Sequence, residues 1–143
     1  MWLTSNRKLG LRHALIMLGV SLFGLLFMII YYANSRGMVS RYLNFIWLSP
    51  LILSAAYALV CMVGNIDIGE WSRLALNAGT GTLMVYQAVA GIYDIALVRP
   101  ENSIDAAWAV LFHWLGVALI WTGIALSIIY VLRKKKTSSP SSN

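Results

Sequence analysis

Few side chains in this sequence can do chemistry in an apolar setting, and most of them fall on two helical faces. In "LNAGTGTLMVYQAVAGIYDIA", residues 76–96, Asn77, Thr80, Met84, Gln87, Gly91 and Asp94 recur at spacings of 3, 4, 3, 4 and 3. Such spacings place side chains on one face of a helix. A weaker version follows in the next apolar run, where Ala109, His113, Gly116, Ile120, Gly123 and Ser127 share a face. Asp94, His113 and Gln87 are the reactive members. An imidazole titrates near neutral pH, and a carboxylate beside it would fix its tautomer, so the three could hold a proton or a small polar ligand. Asp94 lies near the end of its run and His113 about two turns into the next. At ~1.5 Å per residue their depths differ by roughly 6 Å, with Gln87 about 15 Å in. The plainer account is that Asp94 reaches the lipid headgroups and His113 makes one satisfied hydrogen bond.

Other constellations carry less. Asp67 and Glu70 stand three residues apart in "NIDIGEWSR" and could hold a cation or act as acid and base, but short loops are where solvated charges ordinarily sit. The two histidines, His13 and His113, fall ~20 Å apart along the normal of a ~30 Å hydrocarbon slab, too far to clasp one haem iron. Cys61 is the single cysteine, so no internal disulfide or paired-thiol chemistry is available. There is no HExxH and no phosphate loop; "AGTGT" lacks the preceding strand and the lysine. A quaternary-ammonium site would want a mid-membrane carboxylate, and no apolar run has one. The sequence therefore implies no catalytic residues, no metal site and no cofactor.

The elements that must position these residues are apolar helices. The 143 residues are 59% hydrophobic and 11% charged, against about a quarter charged in soluble domains. Runs at 14–33, 43–64, 74–97 and 106–132 each reach the ~20 residues needed to cross a bilayer. This predicts an all-α membrane protein, a bundle of four transmembrane helices. Residues 1–13 form a basic N-terminal segment, 14–132 the membrane domain, and 133–143 a basic, disordered tail. The net charge of +6 reflects positives beside the span ends rather than nucleic-acid binding. Arg7, Lys8, Arg12, Arg73, Arg133, Lys134, Lys135 and Lys136 flank one side; Arg36, Arg41 and Arg99 flank the other. By the positive-inside rule both termini are cytoplasmic. The first apolar run is longer than a signal-peptide core and lacks a small-x-small cleavage site, so it reads as a retained span. Pro50 is expected to kink the second span, with Ser49 available to the freed carbonyl. Asn102 or Ser103 is expected to cap the last helix, with Asp105 in its first turn.

The stripes have a direct physical cause. Lipid supplies little hydrophobic drive between helices, so packing comes from small residues and from hydrogen bonds across the gap. Asn77, Thr80, Gly91, Gly116, Gly123 and Ser127 are accordingly expected to form a seam, with spans three and four antiparallel along it. The functional expectation is a multi-pass protein of the cell membrane. It would be a non-enzymatic accessory or partner subunit whose contacts are the lipid bilayer and another membrane protein or a second copy. The rival is a small homo-oligomeric transporter or proton-coupled carrier using Asp94, His113 and Gln87.

Overall fold

The computed structural model describes residues 5–63, 67–96 and 104–137, all helix and connecting turns. In chain order the elements are α1 (Ser5–Asn34), α2 (Arg41–Asn44), α3 (Leu48–Val63), α4 (Glu70–Ile95) and α5 (Ile104–Thr137). Three stretches, Lys8–Asn34, Arg41–Met62 and Ala107–Lys136, are long and apolar enough to cross a membrane. At 26 residues α4 has the length, but its polar residues make it less apolar than these three.

Contacts fix the direction of each helix. The Ser21 hydroxyl donates to the Trp47 carbonyl and the Ser54 hydroxyl to the Ala14 carbonyl, each at 2.8 Å, so α3 descends along α1 in the opposite direction. The Ser72 hydroxyl donates to the Gly123 carbonyl at 2.7 Å, joining the start of α4 to the end of α5. The Tyr57 hydroxyl, donating to Asn77 Oδ1 at 2.9 Å, joins α3 to α4. The helices therefore run alternately up and down, with the start of α1 and the end of α5 at one end. At the other end Leu43 and Ile95 are buried together with Ile46, and Phe27, Met28, Tyr31 and Tyr32 of α1 pack on them.

Two elements overrun the expected boundaries. The first helix begins at Ser5 and the last continues through the basic run to Thr137. Lys and Arg are good helix formers and favour the negative end of the helix dipole, so nothing stops α5 where the apolar residues do. The tail beyond 137, Asn102 and Ser103, and the side chain of Asp105 lie outside the described residues.

Pro50 acts differently from the kink expected of it. The second span is already broken before it: α2 ends at Asn44, and α3 starts at Leu48. Pro50 sits in the first turn of α3, where its missing N–H costs nothing, and it is fully buried. The Ser49 hydroxyl finds no partner; the Trp47 carbonyl, which already accepts the Leu51 amide, also accepts the Ser21 hydroxyl of α1 at 2.8 Å. Gly24, one turn further along α1, lets the broken segment in: a Cβ there would stand 3.3 Å from Trp47 Cα.

The seam between α4 and α5 is the largest helix contact, but α4 does not present the expected row to it. On α5 the face is Gly116, Ile120, Gly123 and Ser127. On α4 it is Ser72, Leu76, Gly79 and Leu83: a Cβ on Gly79 would lie 2.9 Å from the Gly116 carbonyl, and one on Gly123 would lie 2.7 Å from Leu76 Cγ. Ser72 also bonds Ser127 across this seam. The row running from Asn77 to Gly91 is turned toward the other helices. Asn77 meets Tyr57 of α3, Met84 reaches Gly24 of α1, and Gly91 abuts Leu43 of α2. Thr80 is buried between the two rows. Both rows of α4 face other helices, and Gly79 and Ser72 make the small-residue row at which the α4 and α5 backbones come closest.

Replacing Gly79 by leucine should push α4 and α5 apart and cost the ~1–3 kcal/mol typical of overpacking, read as a lowered thermal midpoint in detergent. Gly81→Ala, with nothing within 4 Å of the new Cβ, should be neutral or mildly stabilising, by up to about 1 kcal/mol.

Candidate functional site

Two regions concentrate polar side chains. The first is the half of the bundle that holds the residues singled out from the sequence. His113 lies on α5 with its ring 4.9 Å from that of Tyr86 on α4 and 5.6 Å from that of Trp114. Its Nδ1 is buried and has no hydrogen-bond partner. Gln87 is the next residue after Tyr86 and belongs to the α4 row turned toward α1–α3; its Oε1 is also buried without a partner. Asp94 is exposed at the end of α4, close enough to Tyr32 of α1 for its charge to act on that hydroxyl. No hydrogen bond joins Asp94, His113 and Gln87 among the described residues. Gln87 and Asp94 lie two turns apart on the same face of α4, whereas His113 of α5 comes down beside Tyr86, the next position round the helix.

The second region is at the opposite end, where α1 and α4 begin. A cleft of about 560 Å³ opens between them, lined by Leu9 and His13 of α1 and by Glu70, Trp71, Arg73, Leu74 and Asn77 of α4. Helical spacing explains the lining, since 9 and 13 are one turn apart, and 70, 73, 74 and 77 form one face. His13 rests with its ring 5.7 Å from Tyr57, with Nδ1 buried and unpartnered. The two histidines thus sit in opposite halves of the molecule.

Beside the cleft, Asp67 ties three elements together. Its Oδ1 accepts from the Gly69 amide at 3.0 Å and from Arg73 Nη1 at 3.0 Å. Its Oδ2 accepts from the Tyr130 hydroxyl of α5 at 3.0 Å. The ion pair is largely shielded, with side-chain exposures of 14% for Arg73 and 19% for Asp67. Gly69 adopts φ 81° at the helix start, a backbone conformation open to glycine at little cost. Burial by itself would raise the Asp67 carboxyl. The Gly69 amide, Arg73 and Tyr130 outweigh that and hold it below its ordinary value of 3.8.

The sequence reading treated Asp67 and Glu70 alike, as solvated loop charges. They differ: Asp67 is a structural clasp, whereas Glu70 is exposed and makes no ion pair or hydrogen bond with the described residues. Arg73, His13 and Tyr57 were missed as members of one site. Only the spacing of 70, 73 and 77 on a helix start could have hinted at it, and the α1 contribution requires the fold. Comparison with protein-family models, with curated proteins and with solved structures finds no match to this chain.

Because the carboxyl of Asp67 is depressed in the folded state, its stabilisation is complete above the unfolded-state value and is lost as pH falls through the folded one. Thermal stability in detergent should therefore decline as the pH drops below about 4. Asp67→Asn should lower stability at neutral pH and flatten that acid limb.

Proposed function

We propose that the protein is a small multi-pass integral membrane protein of the cell membrane, with α4 as a fourth span and both termini cytoplasmic. It serves as a non-enzymatic accessory or partner subunit of a membrane complex. The observation that carries this reading is how intramembrane polar groups are used. Ser21, Ser54, Tyr57, Asn77 and Ser72 each bond from one helix to another, so they act as cohesion between helices rather than as a polar path across them.

Further support comes from the ends and the outer face. Lys8, Arg12, Arg73 and the Arg133–Lys136 run gather at the end where α1 starts and α5 finishes, against Arg36 and Arg41 at the other, which favours the first end inside. Helix α4 is long enough to span, about 39 Å at 1.5 Å per residue, and is flanked by α5 on one side and by α2 and α3 on the other. Helix α5 leaves Trp108, Leu111, Trp114, Trp121, Ile124 and Ile128 exposed, a face suited to lipid or to an apolar partner helix.

A second reading, a proton-coupled carrier, is favoured by the buried and unpartnered Gln87 Oε1 and His113 Nδ1. Unsatisfied groups of this kind are costly and mark places where a ligand would be welcome.

Purification from native membranes should bring down a stable second protein; recovery of this chain alone would defeat the accessory reading. A reporter active only in the cytoplasm, fused after Asn143, should be active. In proteoliposomes Asp94→Asn and His113→Ala should leave proton flux unchanged, whereas loss of a pH-dependent flux in both variants would favour the carrier.

A further inference from the structure

The cleft at the start of α1 and α4 is chemically specific in a way that the accessory role does not require. We propose that it binds the head group of a zwitterionic aminophospholipid, a phosphodiester with a primary ammonium two carbons away. The proposal rests on the membrane reading above, since it places the cleft at headgroup level.

Three groups in the cleft donate. Arg73 engages Asp67 through Nη1, and its other guanidinium nitrogens make no hydrogen bond to the described residues. Asn77 accepts the Tyr57 hydroxyl on Oδ1, which fixes the amide so that its NH₂ group remains available. His13 has Nδ1 buried without a partner, and its neutral ring can carry its proton on Nε2 as a donor. A guanidinium, an amide N–H and an imidazole N–H on one cleft suit the oxygens of a phosphodiester.

The cleft also presents one acceptor of full charge. Glu70 stands one helical turn before Arg73, close enough to pair with it, yet Arg73 is held by Asp67 and Glu70 is left exposed and unpartnered. An anion and a cation one turn apart match a head group whose phosphate and ammonium are two carbons apart. The charge balance argues against a purely anionic lipid: of the two charged lining residues, Arg73 is already offset by Asp67, and Glu70 adds a negative. A trimethylated head group offers no N–H to Glu70. The apolar part of the ligand has a path as well. Leu9 and Leu74 line the same cleft, Leu74 is 59% exposed and Trp71 75% exposed, and tryptophan favours headgroup level.

The full chain, purified in neutral detergent and stripped of lipid, would be titrated with phosphatidylethanolamine, phosphatidylcholine, phosphatidylglycerol and water-soluble glycerophosphoethanolamine. Binding is followed by the part of the tryptophan emission that Trp71→Phe removes, and by the thermal midpoint. Phosphatidylethanolamine should bind about tenfold more tightly than the other two lipids, the scale of one charge-assisted hydrogen bond. Glu70→Gln, at an exposed side chain, should keep the fold and erase that preference. Asn77→Leu should weaken binding of all three lipids. Equal binding of the three, or an unchanged preference in Glu70→Gln, overturns the proposal. Equally tight binding of the water-soluble compound overturns the lipid as the source. Alkaline carbonate extraction of native membranes separates the two levels: release of the chain defeats the membrane reading itself, while a retained chain with no head-group preference defeats only this site.

Discussion

The fold depends on how closely backbones approach on both sides of α4. On one side Gly79 and Gly116 leave no room for a side chain between the two helices, and Ile120 and Leu83 fill the space just beyond. On the other side Gly91 admits Leu43, and Gly24 admits Met84 and the Trp47 backbone. In hydrocarbon, the medium proposed for this chain, no apolar driving force compensates for a gap, so van der Waals contact and a few hydrogen bonds must hold the helices together. A helix with two such faces becomes the element to which the rest attach: α5 through one, and α1, α2 and α3 through the other.

Polar groups reinforce this plan at the places where contact alone is thin. Ser72 bonds both the Gly123 carbonyl and Ser127. Ser54 bonds a carbonyl of α1, and Tyr57 bonds Asn77. At the basic end the Asp67 carboxylate joins the connector, α4 and α5 through three donors. The result is a closely packed α4–α5 pair and an α1–α3 pair, joined through α4, with a cleft left at the basic end between the starts of α1 and α4.

The sequence made a good part of this legible. Three apolar stretches stand out by length alone, and the helical rows on α4 and α5 were visible as spacings of three and four. The partner of each row was not. Asn77 and Gly79 lie two positions apart, hence on well-separated faces, and both rows contain small residues. Only the three-dimensional arrangement shows that Gly79 meets α5 and Asn77 meets α3. The clasp was hidden for a related reason: Asp67 and Glu70 look equivalent in the sequence, and the Tyr130 that distinguishes them is 63 residues away. Likewise the cleft takes Leu9 and His13 from a segment whose basic residues suggested only orientation. The candidate trio of Asp94, His113 and Gln87 rests on helical spacing and depth, and neither says which side of α4 the next helix packs on: His113 comes down beside Tyr86, off the face that carries Gln87 and Asp94.

The interruption between α2 and α3 has a further meaning. A 16-residue α3 rises only about 24 Å, short of a ~30 Å hydrocarbon core. In the proposed membrane setting, the second crossing would be completed by the bent segment through Trp47, which is pinned by the Ser21 hydroxyl of α1. Such a crossing has a joint where the others have a rod. There the angle between α2 and α3, held by the buried Leu43, Ile46 and Pro50, would set how much of the hydrocarbon thickness this crossing covers.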